Sequence, residues 1–566
     1  MKPVPSRSHR LVRVCLLVAL GGACGAEPEA PPDPVAPRCA DPAQAPIDDS
    51  RARNGCVTVG ASGGAAPGEF ADPGTPGALP SPIRYVRAGA AAGGDGSRER
   101  PFATLAEATA REPTGTLLLA RGTHPVDAAA RLRGAFAVVG AGVGVTTLRV
   151  TRGRAALEAV GAGQDGLLRG FTVEATAAGG GGAEAAIECR DGAALRGRDL
   201  RVRGALVGLR ASGLDATLDL DGVTVLGAVS VGVASVDGAR VRLQRSLVRD
   251  GENYGLFAGS SAGREAEPVG GRLHASDTLV AGHGGYGVVF AGAARPGAGA
   301  AACADDPLAA RGELDCLDRV AVQDNRTAGV SLSGARHVDA RRLVVTGTRA
   351  DGDGLFGDGL FVGAGSRLTL DTDLVSDASR ELGSQVIGNA RTGILADGAA
   401  ARLRVHGATV GSNRGPGVFL QRGAAGDAVS YSLLSGNGGV ALGVTPGASL
   451  AAIQCDIFVG TRRATLASAA GERYELADGL SAYGLTGALV EGNVISRNER
   501  FGVVLLNAGG PGDRVVTLRG NRGEGNGFGF GNYNAMGVTV DAPGAIAGRS
   551  PAPATAPRVA DAQGAR

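Results

Sequence analysis

Tryptophan is absent from the 566 residues, and aromatic residues make up only 4% of the chain. A globular enzyme core usually leans on large aromatics and leucine, so a core of that kind is excluded. Lysine is almost missing as well: Lys2 is the only one, and every other fixed cation is arginine. This reads as codon bias from a GC-rich genome rather than as function. The net charge is only +2, which lacks the basic face that a nucleic-acid partner requires. Apolar runs are short, and none could cross a bilayer as a helix. The six histidines (His9, His124, His274, His283, His337 and His406) are scattered. There is no Ser-His-Asp pattern, nucleophile elbow or phosphate loop, and glycine runs such as 179–182 are not followed by a helical pattern. What is present in excess is glycine, 96 residues, roughly twice the usual share. With 44% hydrophobic residues the chain can bury a core, so disorder is excluded. Small residues at many tight turns suit thin, repeated layers.

Residues 1–26 read as an export signal. Arg7, Arg10 and Arg13 form a basic start, 11–20 is a short apolar stretch, and Gly21, Gly22, Ala23 and Cys24 follow. The last run resembles a bacterial lipobox, although Gly21 stands where that pattern usually has leucine. The resemblance implies lipid attachment at Cys24, export, and contact with a membrane through a lipid anchor only. The mature protein would then sit on the outer membrane, at the cell surface or facing the periplasm. An ordinary signal cut after Ala26 would make it secreted instead. Residues 27–82, rich in Pro, Ala, Asp and Gly, show no period and are expected to form an extended, semi-flexible tether. Residues 546–566 are expected to be a disordered tail.

In an oxidising compartment the cysteines left after Cys24 suggest disulfides. Cys39 with Cys56 and Cys303 with Cys316 are the local pairs. Cys189 and Cys455 are too far apart in a linear stack to pair easily and read as buried thiols. Without a C-x-x-C or a histidine cluster, a zinc site is not expected.

Residues 83–125 hold the most specific pattern. A strand at Arg84-Tyr85-Val86 is followed by the turn Gly93-Gly94-Asp95-Gly96, then Pro101-Phe102-Ala103-Thr104-Leu105, then a strand closing on Gly122-Thr123-His124. This order resembles the N-terminal cap module, of unknown function, of many bacterial right-handed parallel β-helix (pectate-lyase-like) proteins, in which a short helix covers the first coil. Phe102, Leu105 and Ala108, at i, i+3 and i+6, would be its buried side. A solenoid needs such a cap over its first layer.

Beyond residue 150 one phrase recurs: Asn, three spacers, Gly and an aliphatic. It occurs at Asn325…Gly329-Val330, Asn389…Gly393-Ile394, Asn413…Gly417-Val418 and Asn498…Gly502-Val503, with a looser copy at Asn437. Asn389, Asn413 and Asn437 are 24 apart, with short alternating strands between them. That period is the signature of a β-helix coil, and equivalent asparagines would stack as a hydrogen-bonded ladder. The fold class expected is therefore all-β: a single-stranded right-handed parallel β-helix over 83–545, with roughly twenty coils and a short capping helix.

Relatives of this fold include pectate lyases and polygalacturonases, but fold alone does not confer their chemistry. The paired-acid and histidine patterns of a polygalacturonase do not occur together here. The one local acidic group is Asp351-Gly352-Asp353 with Asp358. Closely spaced carboxylates in a glycine-rich loop can bind Ca²⁺, and Arg349 beside them could act on a polyuronate. The expectation is an exported, non-catalytic surface protein, monomeric, with an adhesive or glycan-binding role toward polysaccharide or other surface glycans. A polysaccharide lyase or glycoside hydrolase of an acidic polysaccharide, with Arg349, Asp353 and Asp358 catalytic, is the alternative.

Overall fold

The computed structural model describes residues 39–41, 44–46, 56–62, 67–72 and 79–550, apart from 152–154, 176–183, 262–268, 294–314, 355, 372–382, 468–472 and 542–544. Cys24 and Cys303 lie outside these residues. No described helix is long and apolar enough to cross a membrane.

The chain is a right-handed parallel β-helix, as its period predicts. A typical coil is Arg402–His406, Thr409–Gly411 and Val418–Gln421; the next is Ala425–Ser430, Leu433–Ser435 and Gly439–Val444. Equivalent strands pair in parallel, Arg402 with Ala425, Thr409 with Leu433 and Val418 with Leu442, a step of 23 or 24 residues. The three faces so built are called A, B and C. On face A, sixteen successive pairings among the described residues link seventeen strands, from Ile83–Val86 to Val538–Val540. Long corner inserts use the chain that roughly twenty even coils would have needed.

Strand alternation sets the core. In Arg402–His406, Leu403 and Val405 are buried, whereas Arg402 and Arg404 are exposed. Leu368 and Leu403 stack inside face A, Val386, Val410 and Leu434 inside B, and Ile394, Val418 and Leu442 inside C, each no more than 1% exposed. Every such side chain contributes about 1.5–3 kcal/mol of burial.

The corner between faces A and B passes through the left-handed region in coil after coil: Arg342 (φ 48), Gly407 (φ 65), Tyr431 (φ 54), Cys455 (φ 57) and Gly492 (φ 69). That conformation costs a non-glycine residue about 1–2 kcal/mol, yet three of these five corner positions are held by residues other than glycine.

Two buried polar ladders brace the other requirement of a corner, satisfied backbone groups. At the B–C corner Asn389 Nδ2 donates to Asn413 Oδ1 (2.8 Å), Asn413 Nδ2 to Asn437 Oδ1 (2.9 Å), and Asn498 Nδ2 to Asn526 Oδ1 (2.9 Å). The A–B corner has a second ladder that the sequence did not reveal. There Ser432 N–H donates to Asp456 Oδ1 (2.7 Å), Asp456 N–H to Asn493 Oδ1 (2.9 Å), and Asn493 Nδ2 to Asn521 Oδ1 (2.8 Å).

The helix Leu105–Arg111 starts at Thr104, whose hydroxyl accepts from Glu107 N–H (3.0 Å), while Glu107 accepts from Ala103 N–H (3.1 Å). The two bonds satisfy backbone N–H groups on both sides of the cap and fix the entry. Phe102, Leu105 and Ala108 are buried in the main core.

The reading of 27–82 as a free tether needs correction where those residues are described. Gln44–Pro46 and Cys56–Thr58 pair antiparallel, and a Cys39–Cys56 disulfide (Cα–Cα 5.7 Å) staples them. Ala45 and Val59 are buried against Leu247, Leu279, Ala321 and Val344, an apolar column on the outside of face B. Further along, Phe70 packs edge-on against Tyr85 (4.9 Å) and over Leu118 and Val139. The segment is a strap, held because a few apolar side chains find an apolar column. The C-terminal boundary also shifts: Ile546–Ser550 pairs with the preceding coil, and Ile546 joins the core, so this part of the expected tail belongs to the body.

Cys316 is disulfide-bonded. Of the remaining described cysteines, Cys189 is buried but Cys455 is exposed, because it occupies a left-handed corner rather than an inward strand position. Burial pushes the Cys189 thiol up to about 12. Iodoacetamide should therefore label Cys455 and spare Cys189 in the native protein; peptide mapping that found both modified without denaturant would contradict this placement.

Candidate functional site

Asp358, Asp351, Asp353 and Arg349 lie around the insert between faces B and C. Asp358 opens the strand Asp358–Val362 and is 1% exposed. Its Oδ1 accepts from Arg391 Nε (2.8 Å) and Thr392 N–H (3.1 Å), one coil later. The same device recurs at Asp478, with Arg500 Nε (2.7 Å) and Phe501 N–H (3.2 Å). Both copies read Asp-Gly-Leu, followed in the next coil by Asn-x-Arg-x-Gly, at Asn389–Gly393 and Asn498–Gly502 in residue number. Asp358 thus locks two coils together. Asp351 is half-buried and Asp353 exposed in the loop before it, and Arg349 is joined to the neighbouring coil by its backbone, accepting from Thr327 N–H (3.0 Å). Among the described residues no group of three or more His, Cys, Asp or Glu side chains could hold a metal ion. The structure therefore does not gather Asp351, Asp353 and Asp358 into a Ca²⁺ cage, because Asp358 is turned to Arg391.

The three faces differ in what they show to solvent. Face B is covered by the strap at Leu247, Leu279, Ala321 and Val344, in the middle of the stack. Face C carries the outward column Phe257, Val289, Ser331, Phe361, Leu395 and Phe419; Leu395 and Phe419 are buried in a cluster with Val440 and Leu476, so the partly exposed rings are those of Phe257 and Phe361. Face A presents charge. One outward column runs His274, Cys316, Asp339, Thr369, Arg404; a second runs His337, Arg367, Arg402; a third runs Asp318, Arg341, Asp371. Cys316 was singled out in the sequence only as a disulfide partner and His274 and His337 only as scattered histidines, because each strand shows only ordinary alternation. The signal was there in polar residues at i, i+2 and i+4, as in His337, Asp339 and Arg341, or Arg402, Arg404 and His406.

Ion pairs knit this belt loosely. His337 Nε2 lies 3.5 Å from Asp339 Oδ1, and Arg367 and Arg402 approach Asp427 at 3.0 and 3.7 Å. Asp427, Arg367 and Arg402 remain more than a third exposed, so these pairs are weak and salt-sensitive. His406 Nδ1 is 2.9 Å from Ser430 Oγ, and Tyr431 meets the imidazole edge-on at 5.2 Å. Burial lowers the pKa of His406, with Asp371 opposing and Arg404 assisting; burial, then Arg242, lowers that of His274. Burial thus disfavours the charged form of both imidazoles, and the permanent positive charges of the belt are its arginines. Planar guanidinium forks suit carboxylate and hydroxyl recognition.

No family model matches this chain, and no curated protein does. Solved structures do. The A-module of the Azotobacter vinelandii mannuronan C-5 epimerase AlgE6 is 14% identical, over 77% of this chain and 93% of its own, with a TM-score of 0.26. The catalytic domain of a GH87 α-1,3-glucanase in complex with nigerose is 10% identical over 81% of this chain and 68% of its own, with a TM-score of 0.26. A mutant of the periplasmic alginate epimerase AlgG is 12% identical over 74% and 78%, with a TM-score of 0.29. At such identities and scores these matches assign no role to any residue of this chain.

Proposed function

We propose that this is an exported β-helix protein that binds an acidic polysaccharide along face A and does not turn it over. The observation that carries this reading is the register of the outward charges. Arginines at Arg341, Arg367, Arg402 and Arg404 occur on three successive coils, and coils rise by about 4.8 Å, close to the length of one sugar unit. A polymer laid across the strands meets a guanidinium at nearly every step. The surrounding ion pairs are exposed enough for its carboxylates to displace them. Lipid attachment at Cys24 would hold the protein on a membrane, in keeping with the basic start and short apolar run before it.

Isothermal titration of the full chain with acidic polysaccharides should show binding that weakens steeply as salt is raised. Ultraviolet absorbance of unsaturated ends and reducing-end assays should stay flat in parallel. Absent binding, or binding indifferent to salt, overturns the proposal. Turnover would replace it with the reading of a polysaccharide lyase or hydrolase.

A further inference from the structure

The geometry points to a second ligand site, on face C, where Tyr254, Phe257 and Tyr286 form a stacking platform for an uncharged sugar ring. This goes beyond the acidic-polymer reading: the face, the chemistry and the residues are different.

Tyr254 and Phe257 lie on the strand Tyr254–Gly259, and Tyr286 lies on the following coil, just before Val288–Phe290. All three rings are half-buried. The centroid of Tyr254 is 5.9 Å from that of Phe257 and 5.7 Å from that of Tyr286, with ring planes tilted by 41° and 34°. Phe257 is laid down along the sheet rather than standing from it. A Cβ placed at Gly259 would come within 2.5 Å of its ring, so glycine there is what lets the ring lie flat. The result is a low, nearly continuous aromatic surface.

The rim is polar. Glu252 is exposed, Asn253 is half-buried over Gly285, and the charge of Asp351 reaches Tyr286 strongly enough to help hold its phenol above the usual range, behind burial and Tyr254. Asp351 thus acquires a place that its neighbours in sequence did not suggest. A pyranose ring has the matching division, with C–H groups on one face and hydroxyls around its edge. Stacked on the tyrosines it would bury its C–H face and offer hydroxyls to Asn253, Glu252 and Asp351. A wholly apolar partner would leave those polar groups unpaired, which is costly.

The test is titration of the full chain with uncharged glucan oligosaccharides, followed by calorimetry and by tyrosine difference absorbance, which is unobscured because the chain has no tryptophan. Binding should be insensitive to salt and perturb the tyrosine spectrum. Tyr254→Ala and Tyr286→Ala should each weaken it about tenfold, or ~1.4 kcal/mol, within the range of an aromatic stack. Tyr254→Phe and Tyr286→Phe, which keep the rings and the fold, should retain most of it. Arg404→Ala should leave it unchanged while weakening the acidic polymer, so the two sites fail separately. No binding of any uncharged oligosaccharide, or binding by both alanine variants as tight as that of the native chain, overturns the inference.

Discussion

Replacing Asp456 by asparagine will stabilise the protein, and the gain will grow as pH rises from about 4 to about 8. Asp456 is fully buried in the A–B ladder. Oδ1 accepts from Ser432 N–H at 2.7 Å, but Oδ2 is buried with no hydrogen-bond partner. Asn493, one coil on, fills the same place with an Nδ2 that donates to the Ile453 carbonyl (3.0 Å) and to Asn521 Oδ1 (2.8 Å). Asp456 can imitate that donation only when protonated, and burial, opposed by backbone N–H groups, pushes its carboxyl up to about 8. The sign follows from linkage. An unfolded aspartate titrates near 3.9, so its contribution is intact below that pH and is lost as pH rises through about 8. At pH 7 the loss is about 4 kcal/mol, and Asp456→Asn should recover most of it.

His283 pulls the other way. It occupies the B–C ladder beside Asn325, its Nε2 is 3.2 Å from the Val248 carbonyl, and burial lowers it to about 4. Its contribution is present above pH 6.5 and lost as pH falls through about 4. The two slopes oppose each other between those values, so the native protein should be level there and lose stability between about pH 6.5 and 8. Thermal midpoints against pH read this directly. A Asp456→Asn curve parallel to that of the native chain would refute the ladder assignment.

Arg336→Met will destabilise the protein by about 3–5 kcal/mol, the usual result of breaking a buried ion pair from one side. The Arg336 side chain has no exposure at all and that of Asp315 only 2%. Nη1 donates to Asp315 Oδ2 (3.0 Å) and the Gly271 carbonyl (2.8 Å), and Nη2 to the carbonyls of Ala291 (2.7 Å) and Ala258 (3.1 Å). One guanidinium therefore ties together the C–A corner where the chain enters the face A strands Arg272–Ala281 and Asp315–Gln323. Without it, Asp315 keeps its burial and the Leu273 N–H bond (2.9 Å) but loses its cation. The double variant Arg336→Met/Asp315→Leu should regain part of the loss, since an apolar pair removes the stranded charge. Denaturant unfolding of the four chains measures the coupling; additive losses would mean that the two residues act independently.

How much of this was legible in the sequence depended on repetition. The B–C ladder could be read because Asn389, Asn413 and Asn437 are identical residues at one spacing. The A–B ladder could not, because Ser432, Asp456 and Asn493 serve it with three different side chains. The capping helix was legible through Thr104 and the spacing of Phe102, Leu105 and Ala108. The strap was hidden by a linker-like composition in which Ala45, Val59 and Phe70 are too sparse to form a pattern. The acidic group at Asp351, Asp353 and Asp358 misled for a spatial reason: three residues close in the chain straddle a corner, and the last is taken by Arg391. Face A was illegible because its columns join residues one or more coils apart, such as Asp339, Thr369 and Arg404, which no local window compares.

The most direct test of the central claim is the affinity of the Arg402→Ala/Arg404→Ala variant for an acidic oligosaccharide, measured against the native chain at low salt. Both side chains are exposed on the strand Arg402–His406, so the fold should survive, as an unchanged thermal midpoint would verify. At least a tenfold loss of affinity and a shallower dependence on salt are expected. Unchanged affinity and salt dependence in the folded variant would contradict it and remove face A as the binding surface.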